Sequence, residues 1–149
     1  MQMETSSGAI IFRETPETKY LLLRYGTSHW GFVKGQIERG EKLEETARRE
    51  LKEETGIREA EVIDGFQEKI SYYYKRKGET VYKEVIYRLF HVKGSRIVLS
   101  DEHTDYAWLN YSLARERLTH QNSKNVLWKA QQTLKKRRGG EAFSYGKLS

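Results

Sequence analysis

Acidic side chains grouped on one short stretch are the first chemistry this sequence offers. Glu50, Glu53 and Glu54 follow Arg49 almost directly, with Leu51 among them and Gly56-Ile57 behind them. Ahead of them stand Gly35 and Glu41. Hard divalent cations such as Mg2+ or Mn2+ take carboxylate oxygens as ligands and also hold phosphates, so such a cluster suits phosphate chemistry. Its value depends on how the acids are presented. From Lys42 to Thr55 there is no Gly and no Pro, and good helix formers dominate. Gly56 supplies a left-handed stop, and Ile57 can fold back onto Leu51. The acids therefore ride on a helix with a defined end, entered from a loop that carries Gly35 and Gly40.

At about 100° per residue, Leu43, Ala47 and Leu51 form the buried stripe of that helix. Glu50 and Glu54 fall inside the same stripe, and Glu53 sits at its edge. Carboxylates buried side by side without compensation cost several kcal/mol each, or force one to keep its proton. Bound divalent cations remove that conflict. A surface helix laced with ion pairs would account for Glu44, Glu45, Arg48 and Lys52. It would not account for acids on the apolar side, or for glycines at both ends.

The spacing from Gly35 to Ile57 resembles the signature of the Nudix hydrolases at every fixed position. That resemblance implies an α/β fold, an α/β/α sandwich with a mixed central sheet, and an enzyme that hydrolyses phosphoanhydrides with Mg2+ (or Mn2+). It implies metal ligation by Glu50, Glu53 and Glu54, with the Gly35 carbonyl, and an Arg49 that orients the glutamates by ion pairing. Several members carry an additional metal-binding or base glutamate at the point occupied by Ser100-Asp101-Glu102-His103. Glu102 is the candidate, and a plain solvated loop acid is the equal alternative. The catalytic set is thus Arg49, Glu53, Glu54 and Glu102; which carboxylate takes the proton stays open.

The whole chain sets the bounds on this reading. Its 149 residues are expected to form one domain over 1–149, with 139–149 a loose tail behind Gly139-Gly140. Hydrophobic residues make up 37% and charged residues 32%. No apolar run reaches the roughly 18 residues of a membrane span, and no apolar segment follows a basic start. Absence of Cys excludes thiol catalysis and cysteine-bound zinc, and it fits a cytoplasmic protein. The net charge of +6, despite so many acids on one helix, favours a polyanionic partner: a small nucleotide, an RNA 5′ end or an inositol phosphate.

In order, Ser6–Phe12 and Tyr20–Tyr25 read as strands, the second with the apolar run of a central one. Ala60–Lys75 and Thr80–Val92 read as two long strands around a turn at Lys77-Gly78-Glu79. Tyr106–Leu109 reads as a short strand, Tyr111–Leu118 as a short helix, and Asn122–Arg138 as a longer one.

Outside the signature, His29-Trp30, Asp64-Gly65-Phe66, Tyr72, Lys83 to Tyr87 and Leu99 to Leu109 look like the diadenosine tetraphosphate hydrolases of animal and archaeal type. The similarity runs from about Gly8 to Leu109. It implies that His29, Tyr72 and Lys83 lie around nucleotide and polyphosphate, with Lys34 and Tyr87 completing the substrate set. Tyr73 and Tyr74 read better as ordinary strand formers. One departure is Val33, where the family usually has proline; a looser loop around Lys34 and Gly35 is the expectation. The reaction implied is asymmetric hydrolysis of diadenosine tetraphosphate to ATP and AMP. Trimming of RNA 5′ triphosphates, nucleoside triphosphates or diphosphoinositol polyphosphates are the enzyme alternatives, and a catalytically silent nucleotide or RNA sensor is the alternative outside enzymes.

Overall fold

The computed structural model describes residues 1–14, 16–94 and 96–148, with 140–148 as helix backbone only. Its centre is β1 (Gln2–Arg13), which runs parallel to β7 (Glu79–His91) from Gln2↔Val81 to Phe12↔His91. On its other side β1 meets two strands in turn, both antiparallel. Ser6 to Ala9 pair with β4 (Val33–Gln36), and Phe12 and Arg13 pair with β2 (Lys19–Tyr25). β2 also pairs with β3 (His29–Gly31) and β8 (His103–Leu109). β7 carries β6 (Glu68–Arg76) along its first half and the short β5 (Glu61–Val62) near its end. Among the described residues these strands form one mixed sheet of eight.

Alternation along β1 builds a core on each face. Ala9 and Ile11 turn towards α1 (Leu43–Thr55), where Ala47 and Leu51 pack with Leu21, Leu23, Val33 and Phe90. Ile10 and Phe12 turn the other way, towards α2 (Tyr111–Arg117) and α3 (Gln121–Leu148), which contribute Ala114, Val126, Leu127, Ala130 and Leu134, joined by Leu118 just past the end of α2. This is the α/β/α sandwich expected. Among the described residues, no helix is long and apolar enough to cross a membrane.

Several boundaries differ from the sequence reading. The run Ala60–Lys75 is broken into β5 and β6 at Asp64-Gly65, where Gly65 takes φ +89°. The hairpin after β6 turns as expected, on Lys77 (φ +50°) and Gly78 (φ +82°), the two left-handed positions of a type I′ turn. β3 and β4 were not anticipated. Val33 does not loosen its loop: it is fully buried and paired with Ala9, so ladder and core supply the rigidity a proline would. The stop expected at Gly139 is not made, because Gly139 stays helical instead of adopting the left-handed cap conformation. A mid-helix glycine costs only about 1 kcal/mol relative to alanine. The rest of the expected tail, 140–149, lies outside the residues whose side chains are described.

Candidate active site

Two local devices fix the ends of α1. Glu45 reaches back to accept the Lys42 backbone N–H at 2.9 Å, and Gly56 at φ +79° returns its N–H to the Lys52 carbonyl at 2.9 Å. Their effect is to hold three glutamates in different environments. Glu54 is buried at 4% exposure, the Glu50 side chain is mostly covered, and Glu53 stands at 57% exposure on the rim.

Arg49 organises the outer part of this cluster. Its guanidinium donates to Glu41 at 2.7 and 3.0 Å, to Glu50 at 2.8 Å, to Glu53 at 3.3 Å and to the Gln36 carbonyl at 2.9 Å. Glu41 in turn accepts from the Glu38 N–H and the Thr46 hydroxyl, both at 2.9 Å. The Arg49 hydrogen bond, with these two, draws the Glu41 carboxyl down to about 2. Glu41 is thus an ionised brace. Gly35 lets the Glu50 carboxyl lie against its α-carbon, in space that any side chain at that position would occupy.

The inner carboxylate is the unusual one. Burial, reinforced by the charges of Glu50 and Glu102, pushes Glu54 up to about 9; the Lys34 backbone N–H and ammonium oppose that rise only in part. Glu50 is also raised, by burial first, with Arg49 opposing. Among the described residues Glu54 Oε2 has no hydrogen-bond partner, and neither does Nε2 of buried His103, which lies 3.9 Å from Glu54 Oε1. Among the described residues, no three acidic or histidine side chains already converge on a common point. Like charges would not converge without a cation between them, and Arg49 meanwhile occupies Glu50 and Glu53. An unpartnered buried carboxylate oxygen beside a second carboxylate is the donor set a hard divalent ion fits.

Beside the acids lies a cleft of about 500 Å³. Tyr25 and His29 line it, with Ile70 and Tyr72 to Tyr74 of β6 and with His120, Gln121 and Asn122 at the start of α3. Tyr87 and Phe32 make the floor, edge to face at 5.6 Å. Lys34 lines it as well: its ammonium donates to the Tyr72 hydroxyl at 3.0 Å and stands 5.3 Å from that ring's centre. His29 Nδ1 meets His120 Nε2 at 3.0 Å, and burial, His120 and Lys34 lower the His29 pKa. Tyr25 links the two halves, with its ring 5.3 Å from His29 and 4.4 Å from His103.

The NUDIX domain profile matches residues 4–129 of this arrangement. The chain belongs to the Nudix hydrolases. It is 36% identical over 140 residues to the asymmetrical bis(5′-nucleosyl)-tetraphosphatase of Mus musculus, covering 85% of this chain and 92% of that one. The corresponding enzyme of Sus scrofa is 35% identical over the same shares. In three dimensions the chain superposes on a binary complex of the C. elegans Ap4A hydrolase with a TM-score of 0.77. That match has 26% identity and covers 88% of this chain and 97% of the other.

Within this Nudix hydrolase the expected site residues fall into two groups. Gly35, Arg49, Glu50, Glu53 and Glu54 come together at one end of α1 and β4. Glu102 is exposed on the loop before β8, near enough to raise both Glu50 and Glu54. His29, Lys34, Tyr72 and Tyr87 line the cleft, although Tyr87 is only 2% exposed. Lys83 does not line it. Its ammonium lies 3.7 Å from Glu4, which also binds Tyr74 and Arg76, so Lys83 sits in a largely covered ion-pair cluster beside Tyr74. Sequence reasoning missed Tyr25, His103 and His120, which carry no local signal and are brought in only by pairing of distant strands.

Proposed function

We propose that this Nudix hydrolase is a divalent-metal-dependent pyrophosphohydrolase of dinucleoside polyphosphates. Its reaction is asymmetric hydrolysis of diadenosine tetraphosphate to ATP and AMP. The names of the relatives motivate the substrate, and one observation carries the reading. Among the described residues an aromatic cleft lies beside the acid cluster, and Lys34 belongs to both. A substrate with two equal ends can place only one nucleoside there, so the acids meet its phosphate chain off-centre and the products are unequal.

In this reading an adenine stacks on Tyr72, a contact worth roughly 1–3 kcal/mol, and His29 closes over the nucleoside. Lys34 turns its ammonium from the Tyr72 hydroxyl to the first phosphates. Lys83, the register neighbour of Tyr72 across β6 and β7, takes more distant phosphates on leaving Glu4. Glu50, Glu53, Glu54 and the Gly35 carbonyl would hold Mg2+ or Mn2+, with Glu102 completing the set. When bound, such an ion lowers the pKa of water and neutralises phosphate charge. Arg49, braced by Glu41, keeps Glu50 and Glu53 aimed inward. Water attacks one phosphorus in line with the departing phosphate, and a carboxylate of this cluster receives its proton. A cytoplasmic site of action accords with the Cys-free sequence.

Hydrolysis of diadenosine tetraphosphate in 18O-labelled water, with and without Mg2+, tests the proposal. ATP and AMP in equal amounts, with label in one of them, are expected only with the metal. Two ADP molecules would exclude the asymmetric reading. An intact dinucleotide alongside cleaved triphosphorylated RNA would transfer the substrate assignment to RNA 5′ ends.

A further inference from the structure

His103 is buried at 6% exposure although both its neighbours, Glu102 and Thr104, are exposed. A bulge explains this. Between Arg24 and Tyr25 the register of β2 with β8 slips, so that Asp105 faces Arg24 but His103 faces Tyr25. Such bulges re-aim a side chain, and here the imidazole is turned under the end of α1. The loop before β8 is tied to the same helix end by its backbone. Val98 N–H donates to the Thr55 carbonyl at 2.8 Å and Ser100 N–H to the Glu54 carbonyl at 3.2 Å. Ser100 Oγ lies 2.9 Å from His103 Nδ1, and the Tyr25 ring closes the opposite side. What remains is Nε2, without a partner, 3.9 Å from a carboxylate whose other oxygen is also unpartnered. That gap is too long for a hydrogen bond and too short for an intervening water. A small rotation of either side chain closes it.

We propose that His103 is a positioning residue for Glu54: Ser100 donates to Nδ1, which leaves the proton on Nε2, and this N–H holds the Glu54 carboxylate in its metal-binding orientation. The inference rests on the reading of Glu54 as a metal carboxylate. It gives the buried imidazole the role that supporting hydrogen bonds play around metal ligands generally. It also gives Glu102 a defined place, since the residue after it is anchored beneath the site.

The test is an Mg2+ titration of the thermal unfolding temperature, run on the parent, His103→Asn, His103→Gln and Glu54→Gln. Asn keeps a group near Ser100 but cannot reach Glu54, whereas the Gln amide reaches roughly where Nε2 lies. His103→Asn should need about ten- to a hundredfold more Mg2+ for half the rise, with the nucleotide KM unchanged, and His103→Gln should restore most of the affinity. A His103→Asn midpoint equal to the parent's, beside a displaced Glu54→Gln midpoint, overturns the role of His103 and leaves the metal reading standing. An undisplaced Glu54→Gln midpoint overturns both. Should His103→Asn fail to fold, the parent itself decides. The His103 Nε2 signal in 15N-histidine NMR must move with Mg2+ at the midpoint of the thermal titration, and a signal that stays still sinks the proposal.

Discussion

Gly35→Ala separates space from conformation at the acid cluster. A methyl group there would lie 2.0 Å from Cδ and Oε1 of Glu50 and 2.5 Å from its Cγ. Non-bonded carbon contacts need about 3.5 Å, so the Glu50 carboxyl must retreat by about 1.5 Å. That distance takes it out of the 2.8 Å hydrogen bond with Arg49. The displaced atoms are the far end of a flexible side chain, so the backbone need not move. Alanine also narrows the unfolded ensemble, worth up to about 1 kcal/mol in favour of folding. The expected variant is therefore as stable as the parent but poorly active. A misplacement of about 1 Å can cost about a hundredfold in rate, equivalent to roughly 2.7 kcal/mol of barrier.

Gly8→Ala is the matched control. Its methyl would meet the Tyr87 ring at 2.6 and 2.8 Å and the Val33 carbonyl oxygen at 2.6 Å, a buried ring and a strand backbone with little freedom to yield. Overpacking there should cost about 1–3 kcal/mol. Chemical unfolding and dinucleotide hydrolysis at saturating Mg2+ read the two effects separately. The reasoning fails if Gly35→Ala keeps its turnover, or if it loses as much stability as Gly8→Ala.

Four further expectations concern Glu54, Glu102, Tyr72 and Lys83. Glu54→Gln should lose at least about a hundredfold in turnover at saturating Mg2+. Its metal-free stability should gain on the parent as pH rises from the ordinary 4.5 to about 9, because folded Glu54 keeps a proton there that the unfolded chain has lost; a difference flat with pH, by melting curves, would refute the burial argument. Glu102→Gln should slow turnover or raise the Mg2+ requirement without changing the melting temperature, and a variant like the parent in both kinetics and metal titration would make Glu102 a plain loop acid. Tyr72→Ala should raise KM about tenfold or more. Lys83→Ala should weaken long phosphate chains more than short ones, whereas an equal effect on all would confine Lys83 to its pairing with Glu4.

Helical periodicity made the acid end of this molecule legible. The angle that placed Glu54 among Leu43, Ala47 and Leu51, and Glu53 at the edge, is the one that leaves Glu54 at 4% and Glu53 at 57% exposure. The layers were legible too, because the strand and helix patterns of β1, β2, β7 and α3 agree with their tertiary roles. β4 was not. Val33-Lys34-Gly35-Gln36 has too few residues to show alternation, and it becomes a strand only because Ser6 to Ala9 lie alongside. His103 and His120 were hidden for the same reason. One is buried by a register slip between strands, and the other meets His29 across 91 residues of sequence.

Lys34 shows why the unreadable strand matters most to function. In a strand, the backbone and the side chain of one residue point in different directions. At Lys34 the backbone N–H favours the charged form of Glu54, while the side chain reaches over the cleft to Tyr72. Its neighbours sort in the same way: Phe32 enters the core under the cleft, and Val33 enters the core under α1. β4 is therefore the seam between the two cores, and the wall of the cleft and the acid helix are joined there. A loop at this point could not keep that registration, since each side chain would be free to choose its side. The antiparallel ladder to β1 removes the choice. Under the proposed function, the distance from a base stacked on Tyr72 to the acids is thus set by the short paired strand, and with it the phosphorus that water can reach.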